Sequence, residues 1–214
     1  MKTIIRRDFL QLGATCCGLG LLTTVCGRSH AASSAPNTNS LILRPDLVDP
    51  QAPEGTEVIQ LTTGSVPSCH VYMEAQIFTP DSKRLVLHRS AHAHGSDKND
   101  PDHQYLLCDI ENGCSLSPLT EETGVTAPSL SPDGQYLYYF VNETEVNGGR
   151  LTLKRVRLDG TDRQTVLVLD AGVADTGLRP SGIYPLSTIS SDGNRLALSA
   201  FFGDGQTEDA PFGL

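Results

Sequence analysis

The chain has 214 residues and a formal net charge of −9. That balance excludes the clustered Lys and Arg that phosphate backbones require, so nucleic acid is not an expected partner; an acidic sugar stays open, because local charge in a cleft can oppose the net charge. With no Trp, 20 Gly and 13 Pro, the composition excludes a mainly helical chain in favour of a turn-rich all-β one.

Residues 1–31 read as an export signal. Arg6-Arg7-Asp8-Phe9-Leu10 is a twin-arginine pattern, and the apolar stretch over 12–25 is too short for a permanent anchor. Ser29-His30-Ala31 offers a small-x-small cleavage site, so the mature chain is expected to begin near Ala32. The expected location is periplasmic or secreted through twin-arginine export, with no membrane span after the signal is removed. Cys26 raises a lipoprotein reading, but Thr23-Thr24-Val25 makes a poor lipobox.

Residues 32–52 read as a polar linker and an irregular lead-in segment, and 53–214 as a partial β-propeller. A strand is expected over 57–62, as the outer strand of a blade whose other strands lie elsewhere. Three copies of one turn follow: Phe78-Thr79-Pro80-Asp81-Ser82, Leu130-Ser131-Pro132-Asp133-Gly134 and Ile189-Ser190-Ser191-Asp192-Gly193. They begin at 78, 130 and 189, a period of 52 and then 59 residues, each leading into a run of strand formers. Pro presets the first turn dihedral, Asp bonds the backbone ahead and Gly tolerates positive φ, so each copy predicts a hairpin. A period near 50 with four strand-like runs inside it predicts propeller blades, here about 70–121, 125–170 and 181–214.

In the first blade the strands are expected over 70–78, 84–88, 104–110 and 114–120, with a polar loop over 89–103. In the second they fall near 125–131, 136–142, 150–158 and 164–169. The third has strands near 183–189 and 195–202 and a polar loop over 203–210, and stops where a third strand is due. A closed propeller takes roughly four to eight blades. About two and a half blades plus one outer strand therefore imply part of a longer protein, with an open sheet or a ring-completing oligomer as the rival readings.

The chemistry-bearing residues are few. His70 and Tyr72 follow Ser68-Cys69 at the start of an inner strand and are expected at the channel mouth, where a histidine can act as general base or metal ligand; a hydrogen-bonded structural histidine is the plainer reading. The run from His88 and Arg89 through His92, His94, Asp97, Asp100 and Asp102 to His103 holds four His and three Asp. His92 and His94 are weak metal-ligand candidates, and the composition equally describes a solvated loop. Asp81, Asp133 and Asp192 recur at one turn position and read as structural. Cys108 and Cys114 flank the Glu111-Asn112-Gly113 turn; they either pair or stay as free half-buried thiols.

The runs Val58-Ile59-Gln60-Leu61-Thr62, Ser68-Cys69-His70-Val71-Tyr72, Tyr105-Leu106-Leu107-Cys108-Asp109 and the first two Pro-Asp turns resemble the N-terminal part of oligogalacturonate lyases, over about residues 55–200. The Pro-Asp-Gly portions are shared with TolB-type propellers; the Cys-His-x-Tyr stretch is the more specific part. The resemblance implies a seven-bladed propeller and β-elimination on short acidic galacturonides. A divalent metal, typically manganese, engages the uronate carboxylate; a histidine base removes the acidified C5 proton and the O4 group leaves. In that family the metal ligands and the base lie in later blades, so neither is carried over. His70, Tyr72 and Arg89 are the substrate-binding candidates, and the chain by itself is expected to be inactive. The alternative is a non-catalytic, TolB-like periplasmic propeller that binds protein or glycan.

Overall fold

A computed structural model describes residues 42–72, 74–90, 98–145, 148–172, 177–204 and 212–213. The expected export signal and its cleavage site lie outside the described residues. No helix among the described residues is long and apolar enough to cross a membrane.

The chain is an all-β, partial β-propeller. A short ribbon pairs β1 (Ile42–Leu43) with β2 (Ile59–Gln60). The first four-stranded sheet runs β3 (Ser68–His70), β4 (Arg84–Arg89), β5 (Gln104–Asp109) and β6 (Ser115–Pro118), in sequence order. The second has the same order, with β7 (Val125–Leu130), β8 (Tyr136–Glu143), β9 (Arg150–Arg157) and β10 (Gln164–Leu169). The third is β11 (Pro180–Ile189), β12 (Leu196–Phe202) and β13 (Phe212–Gly213). All neighbours within these sheets are antiparallel.

The repeated turn carries this plan. In each copy a hydroxyl donates to the turn carboxylate and accepts the N–H that opens the next strand. Thr79 Oγ1 lies 2.6 Å from Asp81 Oδ1 and accepts from Arg84 N–H at 3.1 Å. Ser131 and Ser190 repeat this at 2.5 Å to Asp133 and Asp192, accepting from Tyr136 and Arg195 N–H at 2.9 and 3.0 Å. The carboxylate also accepts the N–H two residues on, from Lys83, Gln135 and Asn194. These hydroxyl bonds, followed by the backbone N–H bonds, hold all three carboxyls below their ordinary range, Asp192 at about 2. The three aspartates are structural.

The turns also stack. A Cβ built on Gly134 would stand 2.4 Å from Pro80 Cδ, and one on Gly193 would meet Pro132 Cδ at 3.8 Å. Each proline thus abuts the glycine of the following turn, which fixes the three turns at equivalent places on successive sheets. Between the sheets the core is apolar. Ile77, Val86 and Leu107 of the first pack with Leu137, Tyr139 and Val156 of the second. Phe140, Leu151 and Leu153 of the second pack with Ala200, Ile183 and Leu198 of the third. The far face of the first sheet buries Leu85, Leu87, Leu106 and Leu116 with both cysteines, Leu61 closing over them.

Four expectations need correction. The lead-in segment is not all irregular: Ile42–Leu43 is a strand, and Pro45–Leu47 a 3-10 turn that begins on its proline. The 57–62 segment contributes only Ile59–Gln60, and its partner is that lead-in strand. The inner strand expected over 70–78 ends at His70 and resumes only as a bridge from Phe78 to Leu85. Finally, the third sheet already holds its third strand, since Phe212 and Gly213 pair with Phe201 and Ala200.

Candidate functional site

The inner strands β3, β7 and β11 leave their ladders at corresponding places. In the first sheet the chain runs from His70 to Phe78 while its partner moves only from Leu87 to Leu85. In the second, Thr126 to Ser129 opposes Phe140 to Tyr138, with Ala127 at φ 49°. In the third, Ile183 to Ser187 opposes Ala200 to Leu198. Bulges of this kind free a side chain from the alternation of the strand and re-aim it.

Tyr72 and Tyr184 both lie within these breaks. Tyr72 sits in the first bulge, where its carbonyl accepts Ala75 N–H at 3.1 Å. Tyr184 sits in the third. The neighbouring Tyr184, then Glu74, push the Tyr72 phenol above its ordinary pKa. Both rings are half exposed, at 44% and 45%. β7 and β11 are tied by Ser187 Oγ, which donates to the Ala127 carbonyl at 2.7 Å and lies 2.8 Å from Ser129 Oγ. Tyr184 escaped the sequence reading because it looks like one more strand residue; only the register break identifies it.

His70 is the last residue of β3. It pairs with Leu87, which puts it with Arg89 and Ser68 on the sheet face turned away from the second sheet. His70 is exposed, and Arg89 Nε reaches Ser68 Oγ at 3.4 Å. The register therefore puts His70 and Arg89 on one face of the sheet, while Tyr72 lies beyond the paired part of β3.

The His-rich segment is not a solvated loop at its ends. His88 and His103 are 8% and 3% exposed, with ring centroids 4.2 Å apart. His88 Nδ1 lies 3.6 Å from Cys69 Sγ, and Tyr105 closes over both rings. Burial, then the neighbouring His103, lowers the His88 pKa to about 4, so this imidazole is neutral at pH 7. Asp100 is engaged by Ser90 Oγ at 2.6 Å and by Asp102 N–H at 2.8 Å. His92 and His94 lie outside the described residues. Among the described residues no three His, Cys, Asp or Glu side chains are grouped to hold a metal ion. With Asp100 hydrogen-bonded to Ser90 and the two imidazoles against each other, His88, Asp100 and His103 are not arranged as a metal-ligand set.

A cleft of about 710 Å³ opens beside the second sheet. Four of its charged lining residues form two ion pairs: Lys154 Nζ meets Glu122 Oε1 at 2.6 Å, and Arg150 clamps both oxygens of Glu143 at 2.7 and 2.6 Å. Tyr139 donates its hydroxyl to Glu122 at 3.0 Å and accepts from Arg163 at 2.8 Å. Burial pulls Glu122 toward protonation, but Lys154 and the backbone N–H groups of Glu121 and Glu122 outweigh it and hold the carboxyl below its ordinary value. Sequence reading missed this network because its members come from four separate segments. Cys108 and Cys114 are free, and both are fully buried rather than half-buried; burial, then the adjacent Cys114, pushes Cys108 up to about 12.

No family model matches the chain, and no curated protein matches it. Solved structures do. An oligogalacturonate lyase from Vibrio parahaemolyticus superposes with a TM-score of 0.55 at 20% identity, over 78% of this chain and 38% of its own. An oligogalacturonate lyase in complex with manganese gives 0.53 at 22% identity, again over 78% and 38%. A TolB-type protein from Agrobacterium tumefaciens reaches only 0.42 at 21% identity, over 73% of this chain and 45% of its own. The chain thus spans under two-fifths of the length of the lyases it resembles, and what it shares with them is the propeller fold.

Proposed function

We propose that this chain is part of an oligogalacturonate lyase-like propeller that acts on acidic oligosaccharides by metal-assisted β-elimination, with the metal and base supplied from outside the described residues. The observation that carries the reading is the superposition of three successive sheets on two oligogalacturonate lyases with TM-scores above one half. His70, Tyr72 and Arg89 are the substrate-binding candidates of this reading. His70 and Arg89 share one sheet face, where an exposed imidazole beside a guanidinium suits a carboxylated sugar. The chain alone is inactive in this reading, and the twin-arginine pattern sends the protein to the periplasm or beyond.

A second reading is a non-catalytic propeller that binds protein or glycan; the half-exposed rings of Tyr72 and Tyr184 favour it. The deciding experiment incubates oligogalacturonate with this chain, and with a chain extended to complete the ring, with and without manganese, and follows the ultraviolet absorbance of an unsaturated product. The lyase reading expects a metal-dependent rise with the extended chain only. No rise with the extended chain sinks it in favour of the binding module.

A further inference from the structure

We propose that the cleft beside the second sheet binds an uncharged, polyhydroxylated ligand, of the class of a neutral oligosaccharide. The site goes beyond the lyase reading: none of its residues is a substrate-binding candidate there, and it needs neither metal nor base. Its shape follows from the strand register. Two cross-strand rows lie on the face turned to the first sheet. One is Tyr139, Lys154 and Thr165, the other Val141, Thr152 and Val168. Each row starts buried and ends in the open. Tyr139 and Val141 on β8 are 0% and 8% exposed, whereas Val168 on β10 is 42% exposed and Thr165 beside it is exposed as well. The first sheet thus covers this face at β8 and leaves it bare at β10. Glu122, Thr123, Lys98 and Asn99 also line the cleft, and Lys98 donates to the Thr144 carbonyl just past the end of β8.

The chemistry of the lining selects the ligand. Only two of the thirteen lining residues, Val141 and Val168, are apolar. An apolar guest would strip the others of water without replacing their hydrogen bonds. The charged members are Lys98, Arg150 and Lys154 with Glu122, Glu143 and Glu145, three cations and three carboxylates. A charged ligand therefore meets a repelling group for every attracting one. A hydroxyl both donates and accepts, so it can bond a carboxylate on one side and an ammonium or guanidinium on the other. The polar groups are also set before any ligand arrives. Lys154 and Arg150 already hold Glu122 and Glu143, and Tyr139 donates to Glu122 at 3.0 Å. Little side-chain ordering then remains to be lost on binding. The volume of about 710 Å³ lies within the range of clefts that enclose small ligands.

The test is isothermal titration calorimetry on the intact chain, with a chelator present, using galactotriose, maltotriose and trigalacturonate. Saturable binding of at least one neutral trisaccharide is expected, and weaker binding of the uronide. Thr165→Trp fills the cleft from an exposed strand position and should weaken binding about tenfold or more. Glu143→Gln, which loosens the Arg150 clamp, should weaken it about threefold. Val166→Trp puts the same bulk on the same strand at a residue outside the lining, and should bind as the parent does. A far-ultraviolet dichroism spectrum matching the parent confirms that each variant folds. No binding of either neutral sugar overturns the proposal, as does binding that Thr165→Trp leaves unchanged or that both Trp variants weaken equally. Uronide binding tighter than that of the neutral sugars, and lost in Thr165→Trp, overturns the assignment of an uncharged ligand. Each of these failures leaves the lyase reading to its own test, which turns on manganese and an extended chain.

Discussion

The two ends of the inner strands behave in opposite ways. At the turn end, three copies of hydroxyl, carboxylate and positive-φ residue are the same to within a few tenths of an ångström, and each proline rests on the next glycine. Upstream, the three bulges differ in length, in conformation and in the side chains they release. Repetition marks the part of a propeller that must stack on its neighbour, because every sheet meets the same packing problem there. Divergence marks the part free to carry chemistry, and it is there that Tyr72 and Tyr184 leave the ladder.

The sharpest way to break this contrast is at Gly134. Its φ of 66° disfavours any side chain, and a Cβ would drive into the Pro80 ring. Gly134→Ala is therefore expected to cost on the order of 3 kcal/mol from backbone strain and overpacking combined. Gly193→Ala has the same strain but ordinary contact distance to Pro132, so about 1 kcal/mol is expected. Urea unfolding of the two variants checks the difference; equal losses would mean that the turns do not bear on one another.

At the divergent end the buried imidazole pair gives a pH signature. The folded-state pKa of His88, about 4, lies below the 6.5 of a free histidine, so the unfolded chain takes up a proton that the folded one refuses. Stability from this group is complete above pH 6.5 and falls as the pH drops toward 4. On the order of 1–2 kcal/mol should be lost by pH 5. The groups around it are His103, Asp100, Cys69 and Tyr105, of which Asp100 alone favours the charged form. Urea midpoints at pH 7 and pH 5, compared between the parent and His88→Leu, measure the effect. A pH slope unchanged by the substitution would assign the acid sensitivity elsewhere.

The repeated turns made most of the architecture legible, since Pro, Asp and Gly act through local dihedrals that a sequence displays directly. Strand β1 was hidden because Ile42–Leu43 takes its partner from sixteen to eighteen residues away, and its polar surroundings read as linker. The inner strand over 70–78 was overdrawn because Val71 and Ile77 look like strand residues; they anchor a bulge to the core instead. His88, Asp100 and His103 read as solvated because composition cannot tell a polar loop from a polar cluster folded under a sheet. Of the candidate site, Tyr72 was visible by its place in the chain. Tyr184 was not, because the signal that singles it out is a register break, which exists only once the strands are paired.

The smallest effect sharpens the comparison most. Ser82 stands where the second and third turns have glycine and holds a φ of 59°, the left-handed region that a Cβ disfavours by roughly 1–2 kcal/mol. Its N–H donates to the Thr79 carbonyl at 2.8 Å, a bond that glycine would keep. Ser82→Gly removes the steric strain but adds roughly 0.5–1 kcal/mol of backbone entropy to the unfolded chain. A net gain of about 0.5 kcal/mol is expected, read as a small rise in the urea midpoint with no change in slope. A loss would show that the first turn departs from the shared plan and that Ser82 contributes something the other two turns lack.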